Sequence, residues 1–233
     1  MEAPLYRQLW PAGPNVDARN YVRSLDLRRR QLDRPYVLAN FVASVDGHAT
    51  VDGRSRKLSD HADRELFYAL RERADAVLVG PNTLAAERYK RMLPDPGRRE
   101  RRTVAGRPAE PLAVTVTRTG KLPRDIPLFT ETPDNVLVFE QTELPDALRT
   151  LRHDHGVKTL LCEGGPTLFG ALLQERLVDE LYLTLAPRLV GGEASGPAVI
   201  SAPTHPPPEA PASLQLANVL ERNSTLFLRY RFP

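Results

Sequence analysis

Short apolar runs recur along this chain, and several are followed by a segment with helical spacing. That alternation restricts the fold to a largely parallel sheet with crossover helices. Residues 36–43, 76–80, 112–116, 135–139, 157–162 and 180–186 read as strands. After the first strand, Ser59-Asp60 offers an N-cap, and Ala62, Leu66, Leu70 and Ala74 then lie on one helical stripe. Pro145 suits the first turn of another helix, with Leu148 and Leu151 facing inward and Gly156 as its stop. Pro166 opens one more, carrying Leu168, Phe169, Leu172 and Leu173. The C-terminal end differs: residues 214–221 and 225–232 flank Arg222-Asn223-Ser224 and read as an antiparallel hairpin. Residues 87–110 show no periodicity, and 204–211 hold four prolines in eight positions. Both are expected to be surface loops.

With 233 residues and no break in composition, one α/β domain spanning 35–233 is expected, preceded by an N-terminal extension over 1–34. The one cysteine, Cys162, excludes an intramolecular disulfide and a cysteine-based zinc cluster, which suits a reducing cytosol. No apolar run is long enough for a membrane span, and residues 1–20 lack the apolar core of a signal peptide. The five histidines form no metal-spaced motif. The net charge of +3 is modest, but residues 88–107 hold eight Lys/Arg against two acids. Such a stretch could draw phosphates or act as a solvated loop. A nucleic-acid surface would interleave aromatic rings with the basic residues, and only Tyr89 does so.

The strongest chemical signal is residues 161–168, where a strand ends in Glu163-Gly164-Gly165 and a helix starts at once with Pro166-Thr167-Leu168. Glycines let a phosphate approach the backbone, and the free N–H groups of a new helix attract it. A tight packing turn would look the same. A second strand ends similarly, in Gly80-Pro81-Asn82-Thr83. In open α/β sheets ligands bind beyond the carboxyl ends of strands, so two such ends favour a dinucleotide. Neither is a G-x-G-x-x-G, and no Walker A lysine occurs. Arg118 and Thr119, past a third strand, suit the 2′-phosphate of NADPH. Asp46, Ser55 and Lys57, past the first strand, could face a ligand or simply make turns.

Taken in order, these pieces resemble the reductase half of the bacterial riboflavin-biosynthesis deaminase–reductase, especially stand-alone actinobacterial-type members. They are Ala43-Ser44-Val45-Asp46-Gly47, Gly53-Arg54-Ser55, Leu70-Arg71, residues 74–80 with Thr83, residues 163–168, and residues 178–192. The resemblance implies a dihydrofolate-reductase-like three-layer αβα fold, with a mostly parallel twisted sheet and an antiparallel C-terminal hairpin. It implies an NADPH-dependent reductase of a ribosylamino-pyrimidine phosphate that delivers hydride to C1′ and opens the ribose, in a cytoplasmic homodimer. Carried over by position, Val42, Lys57, Thr83, Glu87, Thr119, Gly165, Pro166, Thr167 and Leu168 would contact NADPH, and the strand-end reading above adds Gly80, Arg118 and Gly164. Ser55, Arg71 and Glu163 would hold the substrate, with Asn40 and Arg88 as further substrate-side candidates at positions that depart from the family pattern. Glu163 and Asp46 are the candidate catalytic residues, with no metal involved.

Three positions depart from that pattern. Asn40 stands where the riboflavin-pathway enzymes usually carry a lysine, and an amide can neither donate a proton as an ammonium does nor offset a phosphate. Glu87-Arg88-Tyr89 replaces an Asp-Asp-Pro. The arginine that follows in the family has no clear counterpart, although Arg88, Lys90 and Arg91 are close. Two other readings therefore stay open: reduction of a pteridine such as dihydrofolate, and nucleotide binding without catalysis.

Overall fold

The computed structural model of the protein describes residues 4–27, 33–191, 198–199 and 213–233. In chain order the elements are β1 (Leu5–Trp10), β2 (Val16–Asp17), α1 (Ala18–Ser24), β3 (Tyr36–Ser44), α2 (His61–Arg73), β4 (Ala76–Leu78), α3 (Pro81–Glu87), α4 (Pro96–Val104) and β5 (Leu112–Thr117). They continue with α5 (Pro127–Glu131), β6 (Val136–Glu140), α6 (Leu144–His153), β7 (Thr159–Cys162), α7 (Pro166–Gln174), β8 (Glu180–Ala186), β9 (Gln215–Arg222) and β10 (Thr225–Arg231). All described strands join one sheet in the order β2-β1-β9-β10-β8-β3-β7-β4-β5-β6. From β8 to β6 every pairing is parallel, and from β10 to β2 every pairing is antiparallel. The expected parallel sheet and C-terminal hairpin are both present. The proline-rich 204–211 segment lies outside the described residues.

Two apolar layers cover the sheet. Leu66 and Leu70 of α2, Leu84 of α3, Leu128 of α5 and Ile126 just before it pack with Leu38, Val77 and Leu161 on one face. Leu148, Leu151, Phe169 and Leu172 from α6 and α7 pack with Val37, Leu78 and Leu160 on the other. Alternate residues of each central strand feed opposite layers, as the pleat requires. α2 starts at the expected Ser59-Asp60, and Asp60 is the one that caps it, its side chain accepting from the Asp63 N–H at 2.7 Å.

Two segments differ from their sequence expectation. The N-terminal extension is built into the sheet: β1 pairs with β9, and Tyr6 is fully buried, donating to the Ala62 carbonyl at 2.6 Å. The segment 87–110 is no loop throughout, since it contains α4, capped by Asp95 with Pro96 in its first turn. The residues that α4 buries are arginines, Arg98 and Arg102, one turn apart. Arg98 pairs with Glu65 and Glu72, Arg101 with Glu72, and Arg107 with Asp75. Arg102 donates to the carbonyls of Glu72, Ala74 and Pro108 at 2.6–2.8 Å, closing the C-terminal end of α2. Burial, with Arg107 nearby, brings its pKa down to about 10. Much of the positive charge in this stretch is thus spent inside the protein rather than offered to an anion.

Candidate active site

β3 lies inside the sheet, between β7 and β8, yet two of its residues, Asn40 and Val42, are only partly buried. They are two apart, so they share a face, the one beneath α2. Solvent reaches an interior strand only where the helix layer stops. Asn40 and Val42 are therefore the floor of a cleft at the C-terminal end of the parallel strands.

Glu163 follows β7 directly and lies beside Asn40, because Ala39 and Cys162 are register partners. Its carboxylate is fully engaged. Arg71 of α2 donates through Nε to Oε1 and through Nη2 to Oε2, both at 2.6 Å, and the Tyr89 hydroxyl donates to Oε2 at 2.9 Å. Arg71 also donates to the Met92 carbonyl at 2.8 Å. Burial pulls the Arg71 pKa down, but the Glu163 charge outweighs it and leaves it above the ordinary value. Burial and the same carboxylate push Tyr89 well above its usual range, so its proton stays in place as a donor. Tyr89 is a site residue that the sequence reading missed in this role; its only signal was its place in the Glu87-Arg88-Tyr89 substitution.

The two glycine-bearing strand ends meet. The Gly80 N–H donates to the Gly164 carbonyl at 2.8 Å, bringing together the starts of α3 and α7. Neither helix has a side-chain N-cap, and each begins with proline, so N–H groups of both first turns remain for a ligand. Gly164 has φ +99°, and a Cβ there would sit 3.0 Å from the Phe41 ring. A Cβ at Gly165 would come within 2.7 Å of Thr83 Oγ1, while one at Gly80 would meet nothing closer than 3.6 Å. Gly164 and Gly165 are required by the protein's own packing; the space at Gly80 is not so constrained. Pro166 and Leu168 border this cradle partly buried, and Thr167 is exposed.

The remaining expected residues fall into three groups. Ser55 and Glu87 bind each other: the Ser55 N–H and hydroxyl donate to Glu87 Oε1 at 3.0 and 2.9 Å, tying the loop after β3 to the end of α3. Arg118 and Thr119 are exposed just past β5, on the same edge of the sheet, and Arg88 is exposed with Asp125 at 3.6 Å. Lys57 pairs with Asp52 and lines a cleft of about 410 Å³ with Val51, Leu58, Arg188, Leu189 and Val190. Arg188, which sequence reading did not single out, donates to the Lys57 carbonyl at 2.9 Å.

Asp46 is an acceptor for backbone. Its oxygens receive the N–H groups of Val190 at 3.1 Å and Gly191 at 2.8 Å, clamping the loop after β8 to the loop after β3. The Ser44 hydroxyl and the Gly191 N–H hold its pKa near 2, so it is ionised at neutral pH and has no proton to give. Among the described residues no cluster of His, Cys, Asp and Glu could hold a metal, and no helix is long and apolar enough to cross a membrane.

Fold and cleft together define an α/β reductase domain of the dihydrofolate-reductase-like kind. The chain belongs to the RibD C-terminal domain family, whose model matches residues 35–223. It is 30% identical over 186 residues to a 2,5-diamino-6-ribosylamino-4(3H)-pyrimidinone 5′-phosphate reductase of Archaeoglobus fulgidus, covering 70% of this chain and 84% of that protein. It is 32% identical over 168 residues to the riboflavin biosynthesis protein RibD of Mycobacterium tuberculosis, covering 71% of this chain and 46% of that longer protein. Among solved structures, a pyrimidine reductase-like protein of Corynebacterium diphtheriae superposes with a TM-score of 0.77 at 21% identity, over 94% of this chain and 99% of that one.

Proposed function

We propose that this protein reduces a ribosylamino-pyrimidine 5′-phosphate with NADPH, the reaction type named for its A. fulgidus relative. One observation carries the reading: the cleft floored by Asn40 and Val42 opens beside the two uncapped helix starts joined through Gly80 and Gly164. A pyrophosphate fits that cradle, with Gly80, Thr83, Gly164, Gly165, Pro166, Thr167 and Leu168 around it. Val42 would then lie under the nicotinamide, with Lys57 and Glu87 at the cleft margin. Arg118 and Thr119 reach the 2′-phosphate that distinguishes NADPH. When bound, the dihydronicotinamide supplies hydride for C1′ of the sugar.

The chain's own residues bind and orient. Asn40 and the Arg71–Glu163–Tyr89 group make the polar end of the cleft, where the heterocycle sits against donors and acceptors already locked by one another. Glu163 serves by fixing Arg71 and Tyr89; relaying a proton would require it to leave partners that occupy both of its oxygens. Ser55 and Arg88 stand at the mouth for the substrate phosphate, and Asp46 holds the two loops that frame it. The same reading includes a homodimer in the cytosol, to which the exposed Leu5, Leu9, Trp10 and Leu216 of the antiparallel wing are suited.

The test is steady-state loss of NADPH absorbance with the ribosylamino-pyrimidine phosphates as substrates. Turnover that saturates in both partners supports the reading. Tight NADPH binding with no turnover of any pyrimidine would instead mark an idle nucleotide-binding protein.

A further inference from the structure

The loops that follow β3 and β8 are already joined without their long side chains. The Val45 N–H donates to the Arg188 carbonyl at 3.0 Å, and Asp46 receives the N–H groups of Val190 and Gly191. Between the loops lies the cleft of about 410 Å³, a volume within the range of small-ligand sites. Val51, the buried Leu58, Leu189 and Val190 give it apolar walls, and its charged lining residues are Lys57 and Arg188.

The fold makes little use of either cation. Arg188 donates through Nη1 to the Lys57 carbonyl at 2.9 Å, which takes one of the five guanidinium donors in a junction that backbone and Asp46 already close. Lys57 pairs with Asp52, but the two side chains are 57% and 67% exposed, and an ion pair so exposed adds little to stability. Arg54 and Arg56 stand exposed in the same loop as Lys57. These four cations outnumber Asp46 and Asp52, and Asp46 is turned to backbone N–H groups. Apolar walls focus the field of such a cluster, so the cleft suits an anion.

We propose that Lys57 and Arg188 bind the 5′-phosphate of the substrate in this cleft. A guanidinium fork matches two phosphate oxygens, and an ammonium adds a point charge at a third. Strand order argues for the substrate's phosphate rather than the cofactor's. β8 is two strands from β7 and three from β4, which carry the glycine cradle, and four from β5, which leads to Arg118. At ~4.8 Å per strand, the end of β8 lies about 10–14 Å from the cradle and about 19 Å from the end of β5. The phosphates of NADPH are therefore placed on the other side of β3. β3 is next to β8, so a five-carbon sugar whose C1′ lies over Val42 can bring its far end to Arg188. Ser55 opens the turn that ends at Lys57, so the cleft continues the mouth where Ser55 stands. The inference rests on the proposed function and supplies the cations that its phosphate needs.

The test measures kcat/KM of the full chain for 2,5-diamino-6-ribosylamino-4(3H)-pyrimidinone 5′-phosphate and for the same compound without its phosphate. The parent is expected to prefer the phosphorylated form by on the order of 100-fold or more. Arg188→Gln and Lys57→Gln should each raise KM for that form roughly 10-fold or more, leaving kcat, the phosphate-free substrate and the Kd for NADPH within about 2-fold. Equal kcat/KM for both forms in the parent would overturn the inference. So would an equal loss on both in the variants, which would leave the two residues only holding the loops. A matching loss of NADPH affinity would give them to the cofactor and also overturn it. Lys57 is exposed, so its variant keeps the test if Arg188→Gln fails to fold. If the parent turns over neither form, the proposed function fails, and calorimetry with ribose 5-phosphate and ribose on the NADPH-loaded protein decides about the cleft alone. Binding of ribose 5-phosphate only, weakened in Lys57→Gln, supports the site; equal binding of both, or of neither, overturns it.

Discussion

Arg71 and Glu163 form a two-pronged ion pair, 2.6 Å at each contact, that ties the last turns of α2 to the turn after β7. Both side chains are nearly excluded from solvent, at 7% and 1%. Removing one charge strands the other. Glu163→Gln is therefore expected to cost about 3–5 kcal/mol, a fall in Tm of roughly 6–20 °C, as well as activity. Thermal melts read the first effect. An unchanged Tm would mean that solvent reaches the pair far more freely than its burial indicates.

Cofactor choice should depend on Arg118. A charge-assisted contact to a 2′-phosphate is worth about 1.5–3 kcal/mol, or roughly 10- to 100-fold in Kd. Arg118→Ala is expected to weaken NADPH by that factor and NADH hardly at all. Equal affinity of the parent protein for both nucleotides would remove the argument.

Gly80 gives a cleaner test of the phosphate cradle than Gly165. An added Cβ at Gly165 strikes Thr83 Oγ1 at 2.7 Å and so disturbs the protein itself, whereas one at Gly80 makes ordinary contacts from 3.6 Å outward. Gly80→Ala should keep Tm close to that of the parent while reducing nucleotide affinity at least ~10-fold by blocking backbone approach. Calorimetric titration with NADPH would show it; normal binding would place the phosphates elsewhere.

The Asp46 clamp should respond to acid. Its folded pKa, near 2, lies below the unfolded value of about 3.9, so its contribution is present above pH 4 and lost as pH falls towards 2. Asp46→Asn should remove this part of the acid response and speed amide exchange at Val190 and Gly191 at neutral pH. Hydrogen exchange resolved to those two amides is the check. Unchanged protection would show that the loop is held by other contacts.

Much of the sheet was legible because its central strands are largely apolar on both faces, and β4, β7 and β8 run within two residues into Gly80, Gly164 and Pro187. The cleft was partly legible, since Glu163, Gly164 and Gly80 announce themselves at strand ends. α4 was hidden for a physical reason: its inward positions, Arg98 and Arg102, are charged, so a search for apolar periodicity finds nothing, although Asp95-Pro96 is a good helix start. β1 was hidden because only Tyr6 of its six residues is fully buried, which leaves little alternation to see. The ties between Ser55 and Glu87, and between Asp46 and the loop after β8, join residues far apart in sequence, and no local pattern encodes them.

The pairing of β1 with β9 sets Arg7 opposite Glu221, so residues very far apart in sequence lie side by side. During synthesis β1 must wait for all the chain between it and β9 before its partner exists. Contacts so distant in sequence form late, because the intervening chain has to be ordered first. The parallel half can assemble around β3 and β7 as the chain emerges, and the antiparallel wing closes last. Until it closes, β9 has an open hydrogen-bonding edge. A molecule whose β1 has not yet docked, or one truncated before it, would expose that edge, and the step most open to misassociation would be the completion of the wing rather than the building of the cleft.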